Sequence, residues 1–269
     1  MTSPAQDFPT HTVTRGASPL VISVPHGGTV LPPGIAAQLT PLALAVPDTD
    51  WHVDRLYAFA QSLNASMIVA RLSRYVIDLN RPPDDAALYS ASPQTGLCPA
   101  LTFAGEPLYL DGRTTVPQTE VAQRREQYWQ PYHAELRALL DAARARHGYA
   151  LLLDAHSIRS VVPRLFAGRL PDINIGTNDG RSCSPRVAAA LRAPLEGQAH
   201  FSHVFDGRFK GGHITRHYGQ PAGDVHAVQI ELAQSGYMDE STAAYDTARA
   251  APLQSLLRAL LEALLSCNP

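Results

Sequence analysis

Two histidines stand where short apolar runs give way to small and polar residues. His26 follows Leu20-Val21-Ile22-Ser23-Val24 within Pro25-His26-Gly27-Gly28, and His156 follows Tyr149 to Leu153 within Asp154-Ala155-His156-Ser157. A catalytic zinc takes three protein ligands and keeps a position open for water. Either histidine alone reads most simply as structural. Together, at matching strand ends, they read as two ligands. The third is expected from the acid-rich segment Asp48-Thr49-Asp50-Trp51-His52-Val53-Asp54. An ordinary helix cap explains one acid there but not the crowding. Asp50 is the first choice, and Asp54, one turn further along the same helical face, the second. Asp154 lies two residues before His156, so in a strand both project from one face. It is either an outer carboxylate that orients a histidine or a buried capping acid.

Metal-assisted hydrolysis also needs a base to move a proton from water to the leaving group. Glu231 sits in Val228-Gln229-Ile230-Glu231-Leu232, where burying a charge is costly without a compensating role. Apolar surroundings would also raise its pKa towards the working range of a base. The plainer alternative is a buried salt bridge to an arginine. For substrate, Asn80-Arg81 follows Tyr75 to Leu79, and the planar fork of Arg81 suits a carboxylate. Pro82 and Pro83 stiffen the chain just beyond it. A second polar contact is expected from the glycine-containing stretch Lys210 to Arg216, through Thr215 or Arg216, with Lys210 a solvated loop charge.

Positioning these groups requires strands and helices in alternation. The apolar runs Leu20–Val24, Ser66–Ala70, Tyr75–Leu79, Tyr149–Leu153 and Val225–Ile230 suit buried strands. Helical patterns cover Asp50 to Leu63, Pro117 to Arg146, Pro185 to Leu191 and Ser241 to Leu265. Alternation of this kind predicts an α/β fold, a three-layer mixed sheet flanked by helices, with its site at the carboxyl ends of the strands. Two long stretches, Pro82 to Thr115 and Arg159 to Cys183, read as loops that shape a pocket.

The 269 residues can bury a large core, and no repeat or linker divides them, so residues 1–269 are expected to form a single domain. A net charge of −2 favours neither nucleic acid nor an anionic membrane surface. No stretch is long and apolar enough for a membrane span, and no signal peptide is evident. Cys98, Cys183 and Cys267 make neither a disulfide framework nor a metal pair, and read as reduced thiols of a cytoplasmic protein. Nothing in the pattern specifies an oligomeric state.

Several blocks together resemble N-formylglutamate amidohydrolases. They are Pro25 to Gly28, Asp48 to His52, Ser73-Arg74-Tyr75-Val76-Ile77-Asp78-Leu79-Asn80-Arg81-Pro82, Asp154 to Ser157, Leu170 to Thr177 and Lys210 to Gly219. The Asp-Leu-Asn-Arg-Pro and Asp-Ala-His-Ser blocks are the most specific. That family is similar in fold to zinc carboxypeptidases and aspartoacylases. The resemblance implies one zinc ion held by His26, an acid after it and His156, with Glu231 as base and Arg81 on a substrate carboxylate. Carboxypeptidases place their acidic ligand three residues after the first histidine. Neither Thr29 nor Val30 supplies a carboxylate here, so the acid must come from further along. The implied substrate is a small acidic N-acyl amino acid, N-formyl-L-glutamate. Its products, glutamate and formate, belong to the last step of one bacterial route of histidine breakdown. The alternatives are an aspartoacylase-like deacylase of another N-acyl amino acid and a non-catalytic protein that binds an acidic metabolite.

Overall fold

The computed structural model describes residues 9–86 and 95–269. The first eight residues of the polar N-terminal segment, and residues 87–94 of the expected loop from Pro82 to Thr115, lie outside them. Seven strands form one mixed sheet. They are β1 (His11–Thr14), β2 (Leu20–Val24), β3 (Ser66–Ala70), β4 (Ala150–Ile158), β5 (Ile173–Gly176), β6 (His203–Phe205) and β7 (Val225–Ala233), in the order β1-β3-β2-β4-β7-β5-β6. The four central strands, β3, β2, β4 and β7, run parallel, while β1 and β5 are antiparallel to their inner neighbours. After β2 the chain crosses to β3 on one side, and after β3 it crosses to β4 on the other. Loops therefore leave β2 and β4 in opposite directions and open a crevice at their carboxyl ends.

Alternation along the strands decides what each face carries. In β4, Leu151, Leu153 and Ala155 join one core, together with Val228, Ile230 and Leu232 of β7. Helices α6 (Pro185–Glu196) and α8 (Thr247–Ser266) cover that face through Val187, Leu191, Leu195, Leu253, Leu257 and Leu260. On the other face, Ala150 and Leu152 of β4 and Val225 and Ala227 of β7 meet α5 (Gln130–His147) through Tyr132, Leu136 and Leu140. The same face then continues with Asp154 and His156 on β4 and Gln229 and Glu231 on β7. Half of one sheet face is core and half is chemistry. The strands thus carry these residues within them, where the sequence pattern placed them just beyond strand ends.

Shorter helices complete the chain: α1 (Pro33–Ala36), α2 (Pro41–Leu44), α3 (Val53–Leu56), α4 (Gln118–Arg124) and α7 (His213–Tyr218). The helix expected over Asp50 to Leu63 begins later, as α3 followed by a 3-10 segment at Ala58–Leu63. The one expected over Pro117 to Arg146 forms as α4 and α5, joined by a π-helical turn at Arg125–Trp129. The helix expected from Ser241 starts only at Thr247, as α8, after a two-residue strand at Ala244–Tyr245. Two further expectations fail. Tyr75 to Leu79 is not a strand but a buried turn, in which Val76 N donates to Ser73 O at 2.9 Å and Asp78 N to Leu97 O at 2.7 Å. Its apolar residues fill the core from a turn, and burial rather than pairing explains the run. The expected loop from Arg159 to Cys183 contains β5, whose four residues pair with β7 and β6. Among the described residues, no helix is long and apolar enough to cross a membrane. The three cysteines are unpaired.

Candidate functional site

The site is built where β2 and β4 diverge. His26 lies in the turn after β2, and its carbonyl accepts from Asp50 N at 3.1 Å, which ties the acid-rich segment to that turn. Gly28 permits the turn: a Cβ there would stand 2.4 Å from the backbone of Arg71 and Leu72. Asp50 Oδ2 then lies 3.0 Å from His156 Nδ1 and 3.6 Å from His26 Nδ1. The two imidazole centroids are 4.9 Å apart. One ligand atom from each of His26, Asp50 and His156 falls within 4.8 Å of the others, and all three residues are buried. Asp54 is exposed on α3, so the two histidines meet Asp50.

Carboxylates stand behind both rings. Asp78 Oδ1 is 2.7 Å from His26 Nε2, and Asp154 Oδ1 is 3.0 Å from His156 Nε2. Nδ1 of each ring is directed at Asp50; His26 Nε2 is hydrogen-bonded to a carboxylate, as is usual for ligating histidines, whereas His156 Nε2 has the Asn80 amide as its hydrogen-bond partner. Burial would raise Asp78, but His26 and Arg74 outweigh it and hold the carboxyl well below its ordinary range. Burial would likewise raise Asp50, and His156 and His26 bring it down. For His156, burial favours the neutral ring, yet Asp154 and Asp50 lift it well above the usual histidine value.

Asn80 locks the arrangement. Its Oδ1 accepts from Ile214 N at 2.7 Å, and its Nδ2 lies 3.0 Å from Asp154 Oδ2 and 2.8 Å from His156 Nε2. Asn80 thus braces His156. Thr215 Oγ1 donates to Asp154 Oδ2 at 3.2 Å, and Arg216 Nε donates to Gly211 O at 2.8 Å. Both residues lie outside the cavity lining.

Glu231 pairs in register with His156 across β7 and β4, so their side chains leave the sheet side by side. Burial pushes its carboxyl up to about 8; His156 pulls against this, and Asp50 adds to it. Gln229 bridges Glu231 to the next loop, with Oε1 accepting from Gly212 N at 2.8 Å and Nε2 3.4 Å from Glu231 Oε2. Arg74 is the fully buried cation of the site. Its Nη2 is 2.6 Å from Asp78 Oδ2, and its Nη1 is 3.3 Å from His26 Nδ1 and 3.7 Å from Asp50 Oδ1. Burial works against its charge, and Asp78 and Asp50 maintain it.

These groups open into a cavity of about 80 Å³ lined by His26, Asp50, Arg74, His156, Glu231 and Arg81, with Arg208 on its loop side. That space holds a handful of waters and therefore a small molecule rather than a polypeptide. Arg81 is oriented by its own contacts: Nε donates to Thr95 O at 2.8 Å and Nη2 to Thr95 Oγ1 at 3.1 Å. The donor set fits a divalent cation. Two imidazoles and a carboxylate converge within 4.8 Å of one another, the donor types that divalent first-row metals take.

The sequence placed His26, Asp50, His156, Glu231 and Arg81 at one site, and the fold brings them to one cavity. It missed Asp78, Arg74 and Arg208. The first two had a signal: opposite charges four residues apart inside an apolar run point to a buried ion pair. Arg208, in an irregular loop, had none.

A mixed α/β sheet with a buried carboxyl of raised pKa beside a convergent His–Asp–His set fits an enzyme of the amide-hydrolase class. The sequence model of N-formylglutamate amidohydrolase matches residues 18–238, and the chain belongs to that family. The N-formylglutamate deformylase of Pseudomonas aeruginosa is 54% identical over 254 residues, covering 94% of each chain. That of Pseudomonas putida is 52% identical over the same length. The crystal structure of N-formylglutamate amidohydrolase from Ralstonia eutropha JMP134 superposes with a TM-score of 0.79 at 26% identity, covering 95% of this chain and 96% of that one. A structure from Agrobacterium tumefaciens, at 21% identity and a TM-score of 0.70, shares the fold.

Proposed function

We propose that the chain hydrolyses the formyl amide of N-formyl-L-glutamate to L-glutamate and formate, as a zinc-dependent cytoplasmic enzyme of histidine breakdown. The observation that carries this reading is the pairing of Glu231 with His156 across neighbouring strands, which aims an elevated carboxyl at the His–Asp–His set. The names of the Pseudomonas relatives support the substrate. We read the whole chain as one domain and its sheet as a variant of the zinc carboxypeptidase and aspartoacylase type.

A zinc ion held by His26, Asp50 and His156 supplies Lewis acidity, which polarises a carbonyl and makes water easier to deprotonate. Glu231 takes a proton from the water whose oxygen bonds to the formyl carbon. It then delivers that proton to the amine nitrogen as the C–N bond breaks, so the amine leaves neutral and the water oxygen, with its second proton, ends in formic acid, which ionises to formate in solution. Arg74, held cationic, faces the charge that develops on the formyl oxygen. Asp78 fixes the His26 ring, Asn80 lies against His156 Nε2, and Asn80 and Thr215 fix Asp154 beside it. Arg81 holds a substrate carboxylate.

Formate release from N-formyl-L-glutamate, measured beside elemental analysis before and after chelation, tests the reading. Turnover that disappears with the metal and returns with added zinc is expected. Absence of formate, or equal rates on N-formyl and N-acetyl substrates, would reject it.

A further inference from the structure

N-formylglutamate carries two carboxylates, and Arg81 accounts for one. A carboxylate drawn from water into a small cavity needs a charged partner, or the loss of hydration makes binding unfavourable. Among the described residues, three arginines line this cavity: Arg74, Arg81 and Arg208. Arg74 is committed to Asp78 and lies against His26 and Asp50, at the place of reaction. Other cations of the region are directed elsewhere. Arg159 and Arg164 line a neighbouring groove, and Lys210 pairs with Asp179 at 2.8 Å.

Arg208 lies on the loop between β6 and α7. Its Nε donates to Leu165 O at 2.9 Å, which fixes the plane of the guanidinium. Its Cζ stands 5.5 Å from the ring centre of Phe209. Leu165 and Phe209 line the same cavity, as do Phe103 and Ile158, so the charge is set among apolar walls. Apolar walls suit the two methylenes of a glutamyl side chain, and a fork oriented through Nε suits the carboxylate at its end.

The two arginines differ in their distance along the chain from the reacting groups. Arg81 follows Asn80, whose amide touches His156 Nε2 at 2.8 Å. Arg208 is four residues from Gly212, which packs against the Asn80 amide and reaches Glu231 through Gln229, so Arg208 stands further along the chain from these groups than Arg81 does. The α-carboxylate is one bond from the carbon that bears the scissile nitrogen, whereas the γ-carboxylate is two methylenes further out. On the reading of the site as an N-formylglutamate hydrolase, we propose that Arg208 binds the γ-carboxylate and sets the preference for an acidic side chain, while Arg81 binds the α-carboxylate.

Two monoamide analogues, each with one carboxylate left, separate the roles: N-formyl-L-glutamine lacks the γ-charge, and N-formyl-L-isoglutamine lacks the α-charge. kcat/KM is measured for both and for N-formyl-L-glutamate with wild type, Arg208→Met and Arg208→Lys. The preference of wild type for glutamate over glutamine should fall by about 100-fold in Arg208→Met, because a desolvated charge pair is lost. The loss should appear chiefly in KM for glutamate, with the preference over isoglutamine retained. Arg208→Lys should fall between, keeping the charge but not the fork. A parallel loss on all three substrates would overturn the proposal and leave Arg208 a loop-holding residue. Collapse of discrimination against isoglutamine instead would reverse the two assignments. If wild type releases formate from none of the three, the functional reading itself fails.

Discussion

Two regions meet at the cavity and are built on opposite principles. On one side, Asp154, His156, Gln229 and Glu231 project from β4 and β7, whose paired backbones fix their spacing from His156 against Glu231 onwards. On the other, Arg81, Phe103, Leu165 and Arg208 come from loops with no shared ladder. His156 and Glu231 take their spacing from strand register, while His26 and Asp50 reach the same place from the turn after β2 and the segment before α3, tied by the Asp50 N to His26 O hydrogen bond. Groups that choose among substrates stand on loops, where replacement leaves the reaction geometry alone.

The sharpest way to break this contrast is Glu231→Gln, which keeps shape and removes the carboxyl proposed as base. It should lower kcat on the order of 10³-fold with little change in KM, whereas loop variants should act mainly on KM. A large KM effect from Glu231→Gln would erase the division.

Asp78→Asn comes next. Asp78 is carried by the buried turn from Ser73 to Leu79 yet serves the metal side, through His26 Nε2 at 2.7 Å. Losing its charge should weaken zinc affinity roughly 10–100-fold, read by competition with a chelator. With saturating zinc, kcat should recover most of its value. If affinity is unchanged, Asp78 belongs with Arg74 as a structural ion pair.

The smallest effect concerns the metal-free protein. Burial raises Glu231 from 4.5 to about 8, so between those values the folded chain binds a proton that the unfolded chain has released. Stability from this group is greatest below the lower value and declines as pH rises through the upper one. Metal-free Glu231→Gln should therefore gain on wild type between pH 5 and pH 8, on the order of 1–3 kcal/mol by denaturant unfolding. A constant difference across that interval would show that the carboxyl is not desolvated.

The strand-borne half was legible in the sequence for the reason that it is rigid. Period-two alternation places Asp154 with His156 and Gln229 with Glu231, and buried acids in apolar runs advertise themselves. Asp50 was legible as one of two acids, and the Asp50 N to His26 O hydrogen bond, with Asp54 exposed on α3, distinguishes them. The loop-borne half was legible in Arg81 alone. Arg208 has no periodicity to betray it, and Tyr75 to Leu79 imitates a strand because a turn buried in the core is as apolar as a strand. Composition reports burial; partners are a matter of topology.

The loop that bears Arg208 is pinned at both ends. Asp206 N donates to Ile175 O at 2.7 Å at its start, and at its finish a Cβ on Gly212 would stand 2.4 Å from the Asn80 amide nitrogen. Inserting or deleting a residue between these anchors would push on Asn80 and, through it, on His156. Descendants of this chain that acquire new substrates are thus confined to exchanging side chains along the loop, because its length is bound to the upkeep of the catalytic centre.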